Sequence, residues 1–357
     1  MSLGLLYINF GEPDEPTAPK VSSFLERIFL RNASLEGHVD DAAVARSREL
    51  ARGRTPALLE AYQAIGGSPM NAQSAEQAGA LGAELRRRGV PTRVYAGFQF
   101  TEPTVAACVE RARSDGVTRL IAVPGYPLCG QSTTAAALED VRAALDELAW
   151  DVPFLALAGW HHHPDYLRLH ADHIRQWTSA KGLDLGRRDT ILYFSVHGTP
   201  LKYLEAGNRY DRYAFEHCRD VAASVGADRY AVGFQNHGNR RIPWTQPDNE
   251  RRIRDLNEKR LVVVPISFMK EQSETLSELD VELRAFVESL GKELHRVPVP
   301  HAAPALPTYL AGRVEELISG DPSSGGSLSR CRCCPWAGVW CTNGSRELPP
   351  SPYAIAG

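Results

Sequence analysis

At 357 residues the chain is too long for one ordinary hydrophobic core, and its length predicts two domains. Hydrophobic residues make up 43% and charged residues 23%, a globular composition, and a net charge of -3 excludes the basic excess that a nucleic-acid binder carries. No apolar run reaches the length of a membrane span.

The first ten residues, Met1 to Phe10, carry no basic leader and no cleavage site, so they read as a strand that begins at once in a cytoplasmic protein. In chain order, apolar runs at 5–8, 120–124, 191–196 and 261–266 predict strands. Their continuous apolar character suits parallel strands buried on both faces. Amphipathic stretches at 104–114, 133–148, 210–225 and 274–290 predict helices between them, the pattern of βαβ units. Residues 321–327 have the composition of a flexible linker, 330–345 hold a cysteine cluster, and the last dozen residues read as disordered.

The chain also echoes itself. Leu5-Leu6-Tyr7-Ile8-Asn9 returns as Ile191-Leu192-Tyr193-Phe194-Ser195, Tyr95-Ala96-Gly97-Phe98-Gln99 as Tyr230-Ala231-Val232-Gly233-Phe234-Gln235, and Leu120-Ile121-Ala122-Val123-Pro124 as Leu261-Val262-Val263-Val264-Pro265. A polar-capped helix follows each of the last pair, with Leu138-Glu139-Asp140-Val141 in one and Glu278-Leu279-Asp280-Val281 in the other. Four echoes in one order mark a duplication. The fold expected is α/β, with two Rossmann-like lobes, each a parallel sheet flanked by helices, related by pseudo-symmetry. The lobes divide at 1–155 and 156–320, with a linker and tail over 321–357. Between its first two strands the first half is longer by roughly fifty residues, an insertion within about 14–88 that includes a Phe-, Leu- and Ile-rich helical stretch at 21–30. Beside the carboxyl end of a strand, such an insertion would form a lid or lip, and a peripheral membrane contact through it is left open.

His197 closes the strand at 191–196, where residues of an open parallel sheet face the ligand crevice, and the first half has Gly11 there. The bland reading is a satisfied turn histidine; gain relative to the duplicate favours proton handling. Glu274, Glu278 and Glu282 are spaced i, i+4, i+8 and would line one helical face as hard oxygen ligands for a divalent cation, against the alternative of a solvated helix side. His161, His162 and His163 look like a metal tag, but adjacent residues do not easily face one ion, so a polar lobe junction is expected. His170 and His173 read as an amphipathic face, and His237 as a cleft-mouth residue. Gly66-Gly67-Ser68-Pro69 and Gly130-Gln131-Ser132-Thr133-Thr134 lack the lysine of a P-loop, so no nucleotide is expected. Seven cysteines, four of them at Cys331, Cys333, Cys334 and Cys341, form poor disulfide arithmetic and suggest metal binding.

These residues resemble the ferrochelatases, which insert ferrous iron into a porphyrin late in haem synthesis with release of two protons. The resemblance runs from about Leu3 to about Ser319. It is most specific at Phe194-Ser195-Val196-His197-Gly198-Thr199-Pro200 and Glu274-Thr275-Leu276-Ser277-Glu278-Leu279-Asp280, with support from Arg54-Thr55-Pro56, Ile65-Gly66-Gly67-Ser68-Pro69 and Pro243-Trp244. It implies a lyase-class chelatase with two Rossmann-like lobes and a lip over the porphyrin. His197 would accept pyrrole protons beside Glu274, both also metal-facing, and Glu278 and Glu282 would extend the acidic line. Phe10, Phe100 and Trp244 would be apolar walls for the macrocycle. Some family members hold a [2Fe–2S] cluster through tail cysteines plus one from the body, which implies Cys129 with three of Cys331, Cys333, Cys334 and Cys341; a zinc site or unligated thiols are the alternatives.

The chain departs from the family pattern in several places. Gln272 stands where a histidine is usual, Phe10 and Gln99-Phe100 replace familiar macrocycle contacts, and the Gly-rich turn is one residue short. Whether the porphyrin is protoporphyrin IX or coproporphyrin III stays open, as does monomer or homodimer. The rival readings are a cobalt or nickel chelatase of a related tetrapyrrole and a non-catalytic bilobal tetrapyrrole-binding protein.

Overall fold

All seven residues of β1 (Leu3–Asn9) are buried, which only a strand covered on both faces achieves. The computed structural model describes residues 2–35, 40–236, 242–319 and, in the tail, 327–331, 334, 336–343, 348, 351 and 353. After β1 come α1 (Ala18–Leu35), α2 (Asp41–Ile65), α3 (Met70–Arg87), β2 (Thr92–Phe98), α4 (Val105–Ser114) and β3 (Arg119–Pro124). A π-helical turn (Gln131–Ala135) then runs into α5 (Ala136–Glu147), and β4 (Phe154–Leu157) follows. The second half comprises α6 (Pro164–Ala180), β5 (Thr190–His197), α7 (Leu201–Glu205), α8 (Tyr210–Val225), β6 (Tyr230–Gln235), α9 (Asn249–Arg254) and β7 (Arg260–Pro265). It continues through α10 (Ser273–Leu276), a second π-helical turn (Glu278–Leu283), α11 (Arg284–Ser289), β8 (Glu293–Arg296) and α12 (Ala305–Ile318). The tail adds β9 (Ser329–Arg330) and β10 (Val339–Cys341).

The strand orders are β2-β1-β3-β4-β10-β9 and β6-β5-β7-β8, so the first four strands of each half share one topology. Tyr7 lies opposite Ala96 and Tyr193 opposite Ala231, the same register in both copies. The third strands differ slightly: Pro124 opposes Ile8, whereas Pro265 opposes Ser195, one residue further along. Both copies also place a π-helical turn after the third strand, with Ala135 N–H donating to Gly130 O at 3.1 Å and Glu282 N–H to Ser277 O at 3.0 Å. The continuous helix expected over 274–290 is therefore three pieces, because the π turn inserts an extra residue between α10 and α11.

Since α3 precedes β2 as α8 precedes β6, the insertion resolves into α1 and α2. Val21, Phe24 and Leu25 of α1 and Ala51 and Tyr62 of α2 bury against Phe100, with Phe10 packed on the cluster. Arg31 ties α1 to the first lobe, 2.9 Å from Asp140 and 2.6 Å from Ala136 O.

Two features depart from two self-contained parallel sheets. β10 pairs parallel with β4, Val339 opposite Ala156, while β9 pairs antiparallel with β10, so the described tail residues extend the first sheet. Of the last dozen residues, Tyr353 packs on Phe234 with rings 6.4 Å apart. The linker at 321–326 lies outside the described residues. In addition, Leu306, Leu310 and Val314 of α12 share a core with Leu5, Tyr7, Leu81 and Ile121 of the first half.

The segment from Met269 to Ser273, after β7, is gripped by the first lobe. Gln77 donates to Met269 O and to His301 O, both at 2.9 Å, and Glu271 N–H donates to Gln73 Oε1 at 2.8 Å. Between these contacts Lys270 is buried, its Nζ donating to Asn9 Oδ1, to Gly125 O at 3.2 Å and to Tyr7 OH at 3.3 Å. A Cβ at Gly125 would stand 2.5 Å from that nitrogen, so only glycine leaves room for it.

All three acceptors of Lys270 are neutral, and burial pushes its pKa down to about 7. The unfolded lysine titrates near its ordinary value of about 10.4, so between about pH 7 and 10 the unfolded chain binds more protons and the lysine's burial penalty falls as pH rises. The stability of the wild-type protein relative to Lys270→Met should thus increase from about pH 7 to about pH 9.5, measured by urea unfolding; a pH-independent difference would mean the ammonium stays charged at the seam.

Candidate active site

β5 ends on His197, whose side chain remains 29% exposed at the carboxyl edge of the second sheet. Its backbone N–H donates to Ser267 Oγ at 3.0 Å, and the same hydroxyl lies 3.1 Å from Tyr210 OH at the start of α8. Gly198 follows because a Cβ there would overlap the Asn236 side chain. The imidazole Nε2 is 3.1 Å from Glu274 Oε1, and the Phe268 ring stands edge-on at 6.0 Å. The structure thus brings together the histidine and the acid that the sequence singled out.

Glu274 is oriented from several sides. Gln272 Nε2 donates to Oε2 at 2.7 Å, so each carboxylate oxygen has its own nitrogen neighbour. Gln235 Nε2 donates both to Glu274 O at 2.6 Å and to Glu278 Oε2 at 2.7 Å, coupling two acids of the track. Gln235 is itself set by a chain in which Tyr193 OH donates to Asn249 Oδ1 (2.9 Å), Asn249 Nδ2 to Ser195 Oγ (2.8 Å) and Ser195 Oγ to Gln235 Oε1 (3.4 Å). Four residues overshoot one turn of an α-helix and undershoot one turn of the wider π form, so the drift from Glu274 to Glu278 is reversed from Glu278 to Glu282. Partial desolvation and the charge of Glu278 raise the Glu282 carboxyl above its ordinary range.

Further residues of the site carry no strong signal in the sequence. Glu12, beyond β1 of the other lobe, is buried; it accepts Ser273 N–H at 3.0 Å and the hydroxyls of Ser273 and Ser68. Burial raises its pKa, and the nearby Glu274 adds to the shift. Ser68 belongs to the Gly66-Gly67-Ser68-Pro69 turn, whose role here is to hold Glu12. Gln235 was visible only as part of an echoed strand. The remaining acids are neutralised structurally: Arg296 Nη1 lies 2.9 Å from Glu271 Oε1, and its Nη2 2.5 Å from Asp280 Oδ2, with arginine and Glu271 both about nine-tenths buried.

Of the expected walls, Phe10 is partly buried with its ring 4.4 Å from that of Phe100, and Phe100 lies beneath it in the α1–α2 cluster. Trp244 pairs across a bridge with Pro200, three residues beyond His197. His170 bonds to Tyr166 OH at 2.8 Å and burial lowers its pKa to about 3, while His173 bonds to Pro298 O at 2.7 Å, so the two do not share a ligand. His237 lies outside the described residues, as does Cys333. The buried sulfurs of Cys129, Cys331 and Cys334 lie within 4.8 Å of one another, and Cys341 is buried in β10. This set can hold a thiophilic metal group. No described helix is long and apolar enough to cross a membrane.

The ferrochelatase family profile matches residues 2–318. A ferrochelatase of Synechococcus sp. (strain JA-3-3Ab) is 32% identical over 324 residues, spanning 87% of this chain and 91% of that protein. The chloroplastic ferrochelatase-2 of Arabidopsis thaliana is 29% identical over 326 residues, 88% of this chain and 59% of the plant protein. Among solved structures, the sirohydrochlorin chelatase SirB from Bacillus subtilis subspecies spizizenii, in complex with cobalt, gives a TM-score of 0.51 at 10% identity, covering 91% of this chain and 98% of that one. At that identity the likeness is one of fold.

Removing one partner of a buried ion pair strands the other, so Arg296→Met should cost about 3–5 kcal/mol in urea unfolding. Adding Glu271→Gln should recover part of that loss; a double variant no more stable than the single one would show that the pair does not anchor this segment.

Proposed function

This chain belongs to the ferrochelatase family and inserts ferrous iron into a porphyrin in haem synthesis, and on that premise we propose that His197 and Glu274 carry the proton transfers, with Glu278 and Glu282 leading the cation to them. The observation that supports this most is the 3.1 Å contact of His197 Nε2 with Glu274 Oε1 at the open edge of the second sheet. Metallation exchanges two pyrrole N–H protons for one dication, without oxidation or hydrolysis, which is the basis for assigning a lyase. A neutral imidazole takes the two pyrrole protons one at a time, releasing each to solvent from its exposed side before accepting the next, and the adjoining carboxylate stabilises the imidazolium formed each time. Gln272 can orient Glu274 but cannot itself carry a proton, so the proton path runs through His197. Phe10 and Trp244 offer apolar faces for a flat macrocycle, with Phe100 backing Phe10. A cytoplasmic location is in keeping with Cys108 and Cys218, buried thiols that form no disulfide.

For the tail we propose a [2Fe–2S] cluster on Cys129, Cys331, Cys334 and Cys341. Support comes from three buried sulfurs in mutual reach and from the β9–β10 hairpin, which carries Cys341 into the sheet edge beside β4. When bound, such a cluster supplies a redox-sensitive cross-link between tail and first lobe.

Under anaerobic conditions with Fe²⁺ and porphyrin, His197→Ala and Glu274→Gln should each lower kcat by roughly 100-fold or more. Glu278→Gln should act mainly by raising the KM for iron. Wild-type turnover by His197→Ala would overturn the assignment. The protein as isolated should show visible iron–sulfur absorption that disappears in Cys129→Ser and in Cys341→Ser; a colourless protein containing stoichiometric zinc would replace the cluster with a zinc site.

A further inference from the structure

The end of the tail reaches one wall of the site. The segment from Pro243 to Asp248, which carries Trp244, lies beside the residues that follow His197. Leu201 N–H donates to Pro243 O at 3.0 Å, and Trp244 bridges to Pro200. Thr199 and Thr245 bond reciprocally, Thr245 N–H to Thr199 O at 3.1 Å and Thr199 N–H to Thr245 Oγ1 at 3.2 Å. Past the end of β6, Asn236 Nδ2 donates to Thr245 O at 2.7 Å, and within that strand Phe234 N–H donates to Pro247 O at 2.9 Å. Between these bonds stands Gln246, an exposed residue whose two main-chain groups are taken by one phenol. Gln246 N–H donates to Tyr353 OH at 2.8 Å, and Tyr353 OH donates to Gln246 O.

Contacts of its own hold Tyr353 in place for this. Its ring stands edge-on to Phe234 with centroids 6.4 Å apart, and its backbone N–H donates to Ser351 Oγ at 3.1 Å. Ser351 Oγ in turn donates to Oδ2 of Asp211, a completely buried carboxylate in the first turn of α8. Leaving a buried carboxylate without that donor is costly, so Asp211 favours the docked tail. Burial raises the pKa of the Tyr353 hydroxyl to about 12, which keeps its proton available to Gln246 O across the physiological range. Ser351 and Tyr353 lie well beyond residues 2–318, where the likeness to the ferrochelatase profile ends.

We propose that Tyr353 is a positioning residue for the macrocycle, fixing Gln246 and through it the Trp244 wall beside His197. This role rests on the reading of Trp244 as a porphyrin wall. A single hydrogen bond lets a peptide pivot about it, whereas one hydroxyl that both accepts from and donates to the same residue fixes that residue's orientation. Thr199, Leu201 and Asn236 hold the wall from the second lobe, and Tyr353 holds it from the tail. A wall ordered in advance spares the macrocycle the cost of ordering it on binding, without touching the proton transfers at His197.

The test uses the full-length protein and whichever of protoporphyrin IX and coproporphyrin III it metallates faster. Porphyrin affinity is read without iron from the Soret band, and turnover with Fe²⁺ under anaerobic conditions. Tyr353→Phe keeps the ring against Phe234 and loses both bonds to Gln246. It should weaken porphyrin binding, and raise the porphyrin KM, by about three- to tenfold, while kcat and the KM for Fe²⁺ stay within about twofold of wild type. Trp244→Ala should weaken porphyrin binding by itself, and in that background Tyr353→Phe should have no further effect, because its influence runs through the indole. Unchanged porphyrin affinity in Tyr353→Phe, or the same loss with and without Trp244, would overturn the positioning role and leave the wall reading standing. Wild-type affinity in Trp244→Ala would remove the wall reading and the positioning role together.

Discussion

A lysine buried among neutral groups is expensive, and the chain accepts one at the seam between its two sheets. Lys270 leaves the second lobe and ends between Asn9, Tyr7 and Gly125 of the first. It can stay there only while all three acceptors are in place, so the strands that supply them and the segment that carries the lysine are held in one geometry. Four residues later comes Glu274. The acid opposite His197 is therefore positioned from the other lobe, by Lys270, by Gln73 on Glu271 and by Glu12 on Ser273. Neither half would hold this arrangement alone.

The acids around that segment are sorted by what holds them. Glu271 and Asp280 are gripped by one arginine, and their charge is spent on fastening the start and middle of the acidic stretch. Glu274 and Glu278 receive amide donors from Gln272 and Gln235, which fix their direction. The π-helical turn serves the same end by keeping Glu282 in line behind Glu278.

The duplication explains both the likeness and the division of labour. Each half builds the same four-strand order, the same register of its first pair and the same π turn. The first half then gained α1 and α2 and, through β4, an edge that accepts the tail; the second kept its edge strand β8 and gained His197 and Glu274. The hairpin β9–β10 brings Cys331 and Cys341 to the β4 edge, and Cys331 joins Cys129 and Cys334.

Much of this was legible in the residues because burial patterns and repeats are local. Continuous apolar runs announced strands covered on both faces, the echoes announced two copies, and comparison of the copies drew attention to His197 and Glu274. The three pieces of the 274–290 helix were not legible, since an i→i+4 pattern of acids fits α and π turns almost equally. Nor were Glu12, Gln235 and Lys270, which are single polar residues without a spacing to betray them. Their meaning comes from neighbours between 39 and 263 residues away in the chain. What the sequence determined by itself was the layer architecture, the duplication and the two residues that face each other across the site. Which of these acids an arginine fastens, and what holds Glu274 in place, only the tertiary structure decided, because a carboxylate's role depends on whether folding delivers an arginine, an amide or a second carboxylate to its side.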